Sequence, residues 1–422
     1  MDRQRCAALD TEDPLAPLRV QFELPEGLIY LDGNSLGVLP KAAADRVQQV
    51  VREEWGRDLI RSWNTAGWID MPRRIGDKIA TLIGAGENEV VVADSTSVNL
   101  FKVLSAALNL VRERDPRRKR IVSERHNFPT DLYIAESLAR ERGLELRLVE
   151  ADDIEAQLDD TLAVLMLTHV NYRTGRIHPM KQLSDAAHAA GALVVWDLCH
   201  SAGAVPVDLN GGGADFAVGC GYKYLNGGPG APAFAWAHAQ HTKRMDAGQL
   251  WQPLSGWLGH AAPFDFVPHY RPAAGVSRFI CGTPPVLAMA ALECGVDTVL
   301  AAQSLGGMQA LRRKSLALTS LFIDLVERRC AGHGLDLHTP REPELRGSQV
   351  SFSRAEGGYA IVQALIERGV IGDFRAPDLL RFGFTPLYTR FVDVWDAVEH
   401  LVQVLHSGEW REARFNQRAA VT

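Results

Sequence analysis

Apolar positions in the first two thirds of the chain fall into short runs rich in Val, Ile and Leu, separated by longer stretches in which they recur every three or four residues. Runs without polar alternation suit strands buried on both faces, and the 3.6-residue recurrence suits helices lying on them. Strands are predicted at 89–94, 119–124, 144–150, 162–168, 192–198, 216–222 and 231–237. Helices are predicted at 99–114, 130–142 and 180–190, the last stopped by Gly191. This order describes an α/β fold with a mostly parallel, seven-stranded sheet. After about residue 285 amphipathic helices take over, at 285–303 and 307–330, followed by EGGYAIVQALIERGV and FVDVWDAVEHLVQVL. A smaller α+β unit is expected there. The first 40 residues hold one strand-like piece, Leu28 to Leu31, and the turn DGNSLG, and are expected to pack with the C-terminal part. The resulting division is a large domain over 45–290 and a small one formed by 1–44 with 291–422.

A length of 422 residues and 46% apolar composition agree with two hydrophobic units rather than one. The formal net charge of −6 and the dispersal of Lys and Arg, apart from the interrupted cluster Arg112 to Arg120, argue against a nucleic-acid partner. The six cysteines show no CxxC pair and no metal-ligand spacing, so no metal site is expected and reduced thiols in a cytoplasmic protein are the simplest account. No apolar N-terminal leader and no apolar run of membrane-spanning length is apparent, so neither export nor insertion is expected.

The chemistry starts at GCGYKYLNGGPG, residues 219–230, where Lys223 follows a predicted strand among glycines and aromatic rings. Poor solvation favours a neutral amine, and a neutral amine forms an imine with an aldehyde. An isolated lysine of this kind is more often a strand-end residue with a buried stem and a solvated head. Asp197, 26 residues earlier at the end of the ALVVWDL run, alters that balance. A carboxylate at the C-terminal end of a parallel strand lies where open α/β sheets bind ligands, and pyridoxal phosphate needs such an anion against its ring nitrogen. His200 lies on the same turn. Thr96 and Ser97, between a strand and a helix, could bind phosphate at the helix N-terminus, although plain N-capping reads the same way. In HNFPTD, Phe128 stands beside a proline-fixed turn where it could stack on a ring, with Thr130 and Asp131 close by; taken alone, Phe128 reads as core.

HNFPTD, DLCHSAG, GYKYLNGGPG, GWLGH and RFGFTPLY, in this order, resemble the kynureninases, pyridoxal-phosphate enzymes of the aspartate-aminotransferase fold (fold type I). The similarity runs from YLDGNSLG at Tyr30 to PLYTRF near the end. The resemblance implies that Lys223 carries the cofactor as a Schiff base and that Asp197 pairs with the pyridine nitrogen. It further implies that Thr96 and Ser97 hold the phosphate, with Tyr222 touching it. Phe128 would stack on the ring, Pro129, Thr130 and Asp131 would line its side, Thr168 would stand close to it, and His200 would lie near its polar groups. Trp257 and Thr283 match the pair that reaches the cofactor from a neighbouring subunit, which implies a homodimer. Arg381 is the expected clamp for the substrate α-carboxylate, ahead of Arg375, because a planar guanidinium binds a carboxylate bidentately. Asn34, Ser35 and Trp63 complete the expected substrate contacts.

The implied reaction is hydrolysis of L-kynurenine to anthranilate and L-alanine. Lys223, once displaced by the substrate amine, is the expected base at Cα, and Tyr222 the expected acid or base at later steps. Trp63 and Thr283 stand where animal-type members carry His and Asn, which implies a preference for kynurenine over its 3-hydroxy form. The alternatives are another fold type I enzyme, such as an aminotransferase or a cysteine desulfurase, or a silent cofactor-binding module. A desulfurase needs a reactive cysteine on a mobile loop, whereas Cys330 lies in the helical stretch VERRCAGHG. No GxGxxG follows the first strands to suggest a nicotinamide enzyme.

Overall fold

The computed structural model describes residues 1–249 and 252–418. After the short strand β1 (Ile29–Tyr30), the chain builds a seven-stranded sheet from β2 (Val90–Val92), β3 (Arg120–Glu124), β4 (Glu145–Val149), β5 (Leu162–Thr168), β6 (Leu193–Asp197), β7 (Phe216–Gly219) and β8 (Phe234–Ala237). Their order across the sheet is β2-β8-β7-β6-β5-β3-β4. All contacts from β7 to β4 are parallel, and β8 runs antiparallel to both of its neighbours. The seven predicted strands are therefore all present. β7 ends three residues earlier than expected, because the glycine-rich stretch that follows turns away, with Asn226 in the left-handed region at φ 54°.

Alternation of side chains along each strand divides the sheet's apolar residues between two cores. Val194 and Trp196 face one side with Ile75, Leu183, Met289 and Leu292; Leu193 and Val195 face the other with Leu104, Leu108 and Leu138. Both faces are covered, which is why LAVLMLT in β5 contains no exposed position.

One helix-containing segment corrects the sequence reading. Val286–Leu305 is long and apolar enough, by length and composition, to cross a membrane. In the fold its helix Val286–Leu300 buries Met289, Leu292, Val296 and Val299 in the first core. Its Glu293 and Asp297 pair with Arg74 at 3.0 Å and Lys78 at 2.7 Å, as suits a core helix with one polar edge.

A third core joins the two ends of the chain. β1 pairs in parallel with β11 (Val370–Ile371), and a second, antiparallel sheet orders β12 (Asp373–Arg375), β13 (Leu379–Gly383), β10 (Gln349–Ser353) and β9 (Asp336–Leu337). Phe322, Phe352, Phe382 and Phe384 meet there under the helix Phe391–Ser407. The helix Arg3–Glu12, unforeseen in the sequence, docks on that same helix: Asp10 accepts hydrogen bonds from the Phe391 and Val392 amides at 2.6 and 3.0 Å, capping its N-terminus.

Candidate active site

The C-terminal ends of the parallel strands lie along one edge of the sheet, and their last residues form a lateral row. Thr168 on β5 pairs in register with Asp197 on β6, and Asp197 with Val218 on β7. A cavity of about 460 Å3 opens over this row. Thr96, Ser97, Phe128, Thr130, Asp131, Thr168, Asp197, His200, Tyr222, Lys223 and Thr283 all line it, so residues spread over nearly 190 positions of sequence share one space, as expected of a ligand crevice beyond strand ends.

Lys223 is buried, with Nζ 3.0 Å from His200 Nε2 and above the rings of Phe128 and Tyr222 at 5.8 and 5.7 Å from their centroids. Its loop is fixed from the N-terminal end of the chain. The Gly37 amide donates to the Tyr222 carbonyl at 2.8 Å, and a Cβ on Gly37 would come within 2.5 Å of the Lys223 carbonyl oxygen. The last residue of DGNSLG is thus glycine because the lysine's backbone passes against it.

Beside the lysine stand two carboxyl groups. Asp197 Oδ1 accepts the Cys199 amide at 2.7 Å, which orients it at the strand end. Burial pushes the Asp131 carboxyl well above the usual range, and the neighbouring charge of Asp197 and a hydrogen bond between the two add to the rise. Burial also holds His200 well below its ordinary value, assisted by the charge of Lys223, so its imidazole is neutral. The Tyr222 phenol is raised by burial and by nearby Cys220, Cys199 and Asp197. Asp131 Oδ2 and His200 Nδ1 are buried without a hydrogen-bond partner among the described residues. Buried polar atoms in that condition call for a ligand or water.

The far end of the cavity is the N-terminus of the helix Thr96–Arg114. Ser95, not Thr96 or Ser97, is the N-cap, accepting the Val98 amide at 3.4 Å, so Thr96 and Ser97 are the first helical residues and their amides point out of the helix end. Pro129 opens the helix Pro129–Arg142 directly after Phe128 and lies behind the cavity lining. Asn127 was not singled out in the sequence, yet its buried Oδ1 accepts from the Phe128 amide at 2.6 Å and from the Thr168 hydroxyl, tying the ring to the strand-end row. Tyr172, also missed, lines the cavity with its ring edge-on to Phe128 at 5.2 Å.

The predicted substrate residues form a second cluster, adjoining the cavity through Tyr172. Arg381, buried on β13, donates from Nε to Asp373 Oδ1 at 2.8 Å, from Nη1 to the Tyr172 carbonyl at 2.8 Å and from Nη2 to Ser35 Oγ at 2.8 Å. Ser35 Oγ donates to Asp373 Oδ2 at 2.9 Å, and Arg375 pairs with the same carboxylate at 2.7 Å. Asp32, in the same turn as Ser35, is pushed up to about 7 by burial and by the charge of Asp373. Asn34 is fully buried against Gly383, where a Cβ would come within 1.9 Å of its Oδ1. DGNSLG and RFGF, some 350 residues apart, are therefore packed as one structure.

Trp63 and Trp257 lie outside the cavity lining. Trp63 is half-buried with its ring edge-on to Trp68 at 6.0 Å. Trp257 is 41% exposed and packs edge-on to Phe264, itself exposed beside Phe266 and Val267.

A cysteine desulfurase from Thermococcus onnurineus NA1 has the same architecture, with a TM-score of 0.77 at 20% identity over 93% of this chain and 98% of that one. A cysteine desulfurase from Escherichia coli superposes with a TM-score of 0.74 at 19% identity, covering 93% and 98%. The fold is that of the fold type I pyridoxal-phosphate enzymes. The sequence comparisons are narrower: a family model described as the kynureninase C-terminal domain matches residues 311–401. Over 100% of its length the chain is 58% identical to a kynureninase of Burkholderia mallei and 57% identical to one of Pseudomonas fluorescens, covering 99% of each. The chain belongs to the kynureninase family. Cys330, buried at the end of the helix Gly307–Arg329, offers no accessible thiol of the kind desulfurase chemistry needs.

Proposed function

We propose that the chain hydrolyses L-kynurenine to anthranilate and L-alanine with pyridoxal phosphate bound to Lys223. The observation that carries this reading is the buried Lys223 amine sharing a cavity with the strand-end carboxylate of Asp197. The donor set fits the cofactor: a helix N-terminus with Thr96 and Ser97 for the phosphate, the Phe128 ring for stacking, and buried polar atoms on Asp131 and His200 that need partners. Bound there, pyridoxal phosphate supplies an electrophilic carbon for amines and a pyridinium sink for electron pairs released next to that carbon.

The chain's own groups do the rest. Asp197 would hold a proton on the ring nitrogen, while Asp131, its carboxyl raised by burial and then by that neighbour's charge, would donate rather than repel. Thr130 would wall the ring with Pro129 behind it, Thr168 and His200 would contact its polar edge, and Tyr222 would reach the phosphate. Lys223, displaced by the substrate amine, would move the proton at the substrate Cα; water adds to the γ-carbonyl, and as the Cβ–Cγ bond breaks to release anthranilate as the carboxylic acid, the Tyr222 hydroxyl would protonate the Cβ left behind. Arg381, fixed side-on by Asp373, turns its outer nitrogens to the substrate carboxylate in exchange for Ser35 and Tyr172. Asn34 and Ser35 close that end. Trp63 and Thr283 favour the plain aromatic ring over its 3-hydroxy form.

A homodimer fits the exposed apolar strip of Trp257, Phe264, Phe266 and Val267, which offers Trp257 to a second copy's site, whereas Thr283 already lines this chain's own cavity. Residues 45–290 act as the cofactor-binding domain together with the rest of the helix Val286–Leu300, whose Leu292, Val296 and Val299 share its core, and most of 1–44 with the chain after that helix acts as the smaller one. Six unpaired cysteines suit the reducing cytoplasm. The test is Lys223→Ala: release of fluorescent anthranilate from kynurenine should fall by roughly three orders of magnitude or more, the scale on which acid–base catalysis works. Undiminished release defeats the reading.

A further inference from the structure

The helix that faces the phosphate end carries a lysine whose ammonium lies outside the cavity. Lys102 is completely buried, and its ammonium has three N–H groups and three acceptors: Asp94 Oδ2 at 2.6 Å, Asn99 Oδ1 at 3.0 Å and the Phe279 carbonyl. An ammonium leaves water only where partners replace its hydration, and here each donor is matched.

The three acceptors belong to two separate pieces of the cavity wall. Asp94, held in the left-handed region at φ 48°, and Asn99 flank Thr96 and Ser97. Phe279 ends the turn Gly275–Phe279, and the residues after it, Ile280 to Pro285, form another part of the lining without a strand or α-helix of their own. That stretch is stacked in turn on the segment bearing Trp257. Cys281 Sγ donates to the Leu254 carbonyl at 3.3 Å, and a Cβ on Gly256 would come within 1.6 Å of the Cys281 carbonyl oxygen. One buried ammonium therefore joins the turn before the helix to this wall.

We propose that Lys102 is a positioning residue that locks the Phe279–Thr283 wall to the Asp94–Asn99 turn and so sets the phosphate end of the cavity. The inference rests on the phosphate reading of that end. An uncharged side chain of similar length keeps the packing but leaves Asn99 Oδ1 and the Phe279 carbonyl without their donor, and the wall is no longer held at its distance from Thr96 and Ser97.

The test compares wild-type protein with Lys102→Met, each prepared as holoenzyme and exchanged into pyridoxal phosphate or phosphate-free pyridoxal, reading affinity by absorbance and fold by melting temperature. Lys102→Met should lose about tenfold in affinity for pyridoxal phosphate, the scale of one charge-assisted hydrogen bond, with pyridoxal affinity unchanged. An equal loss for both ligands means general loosening and overturns the proposal. A wild-type preference for the phosphorylated ligand that Lys102→Met retains in full overturns this inference alone, whereas a wild type without that preference overturns the phosphate reading as well. Should Lys102→Met fail to fold, Asp94→Asn, which keeps the ammonium and its two neutral acceptors, should show a smaller loss confined to pyridoxal phosphate; an unchanged affinity overturns the proposal.

Discussion

The two halves of the site are built on opposite principles. Over the strand ends, Asp131 Oδ2 and His200 Nδ1 are buried without a partner among the described residues, and a single lysine faces a carboxyl pair. Around Arg381 every guanidinium nitrogen is already engaged, by Asp373, Tyr172 and Ser35. The first region leaves buried atoms on the cavity wall for a ligand to partner; in the second the guanidinium itself is engaged beforehand and binds by exchange, while Asp32 Oδ1, Asn34 and Arg375 Nε around it keep buried atoms without a partner among the described residues. Such a division separates tight, permanent retention of a cofactor from reversible capture of a substrate, because a carboxylate that displaces existing partners gains only the difference.

The largest expected effect comes from breaking the Arg381 network. Arg381→Leu leaves Asp373 buried with Arg375 as its remaining cation, and removal of one partner of such a pair costs about 3–5 kcal/mol. Urea unfolding should show that loss, the double variant Arg381→Leu with Asp373→Leu should recover most of it, and neither should turn over kynurenine. Recovery of activity with stability would remove Arg381 from the carboxylate site.

Next in size is a pH effect. Asp32 in the folded chain is pushed up to about 7, against about 4 for an unfolded aspartate. Between these values the native chain holds a proton the unfolded chain has lost, so this group's stabilisation is present below about pH 4 and is lost as pH rises through 7. Asp32→Asn abolishes that dependence, and its unfolding midpoint relative to wild type should rise from pH 5 to pH 8. A constant offset across that range disproves the assignment.

In the unsatisfied half, Asn127→Ala removes the acceptor shared by the Phe128 amide and the Thr168 hydroxyl. It should cost about 1–3 kcal/mol in stability and lower cofactor affinity; intact affinity would detach Phe128 from ring stacking. Smallest is Trp257→Ala: for an exposed ring the stability change should stay within about 0.5 kcal/mol, while sedimentation should show a weaker dimer. A dimer of unchanged strength would move the interface elsewhere.

Much of the cofactor half was legible in sequence because its residues follow strands whose continuous apolar runs are unmistakable. Asp197 falls at the end of β6 as its apolar run predicts, while Lys223 stands four residues past the end of β7 rather than directly after it. The Arg381 half was legible only through motifs. Its strands β10, β12 and β13 are short, and inward positions such as Gln349, Ser351 and Asp373 are polar yet buried. Inward polar residues cancel the alternation by which a strand is recognised. Asp373 and Tyr172 therefore escaped notice although Arg381 did not. The helix Arg3–Glu12 was missed for a related reason: it buries only Cys6, so it has no apolar stripe to detect.

The contact between Gly37 and the lysine loop bears on how the protein is made. During synthesis the N-terminal turn emerges nearly two hundred residues before Lys223, and the strand that holds Asn34, through Gly383, comes later still. A nascent chain can assemble the large sheet while it is still on the ribosome, but its earliest segment must wait, unpaired, for almost the whole polypeptide. Closures over such sequence distances are slow, so the turn that backs Lys223 is set late, after the sheet against which it leans.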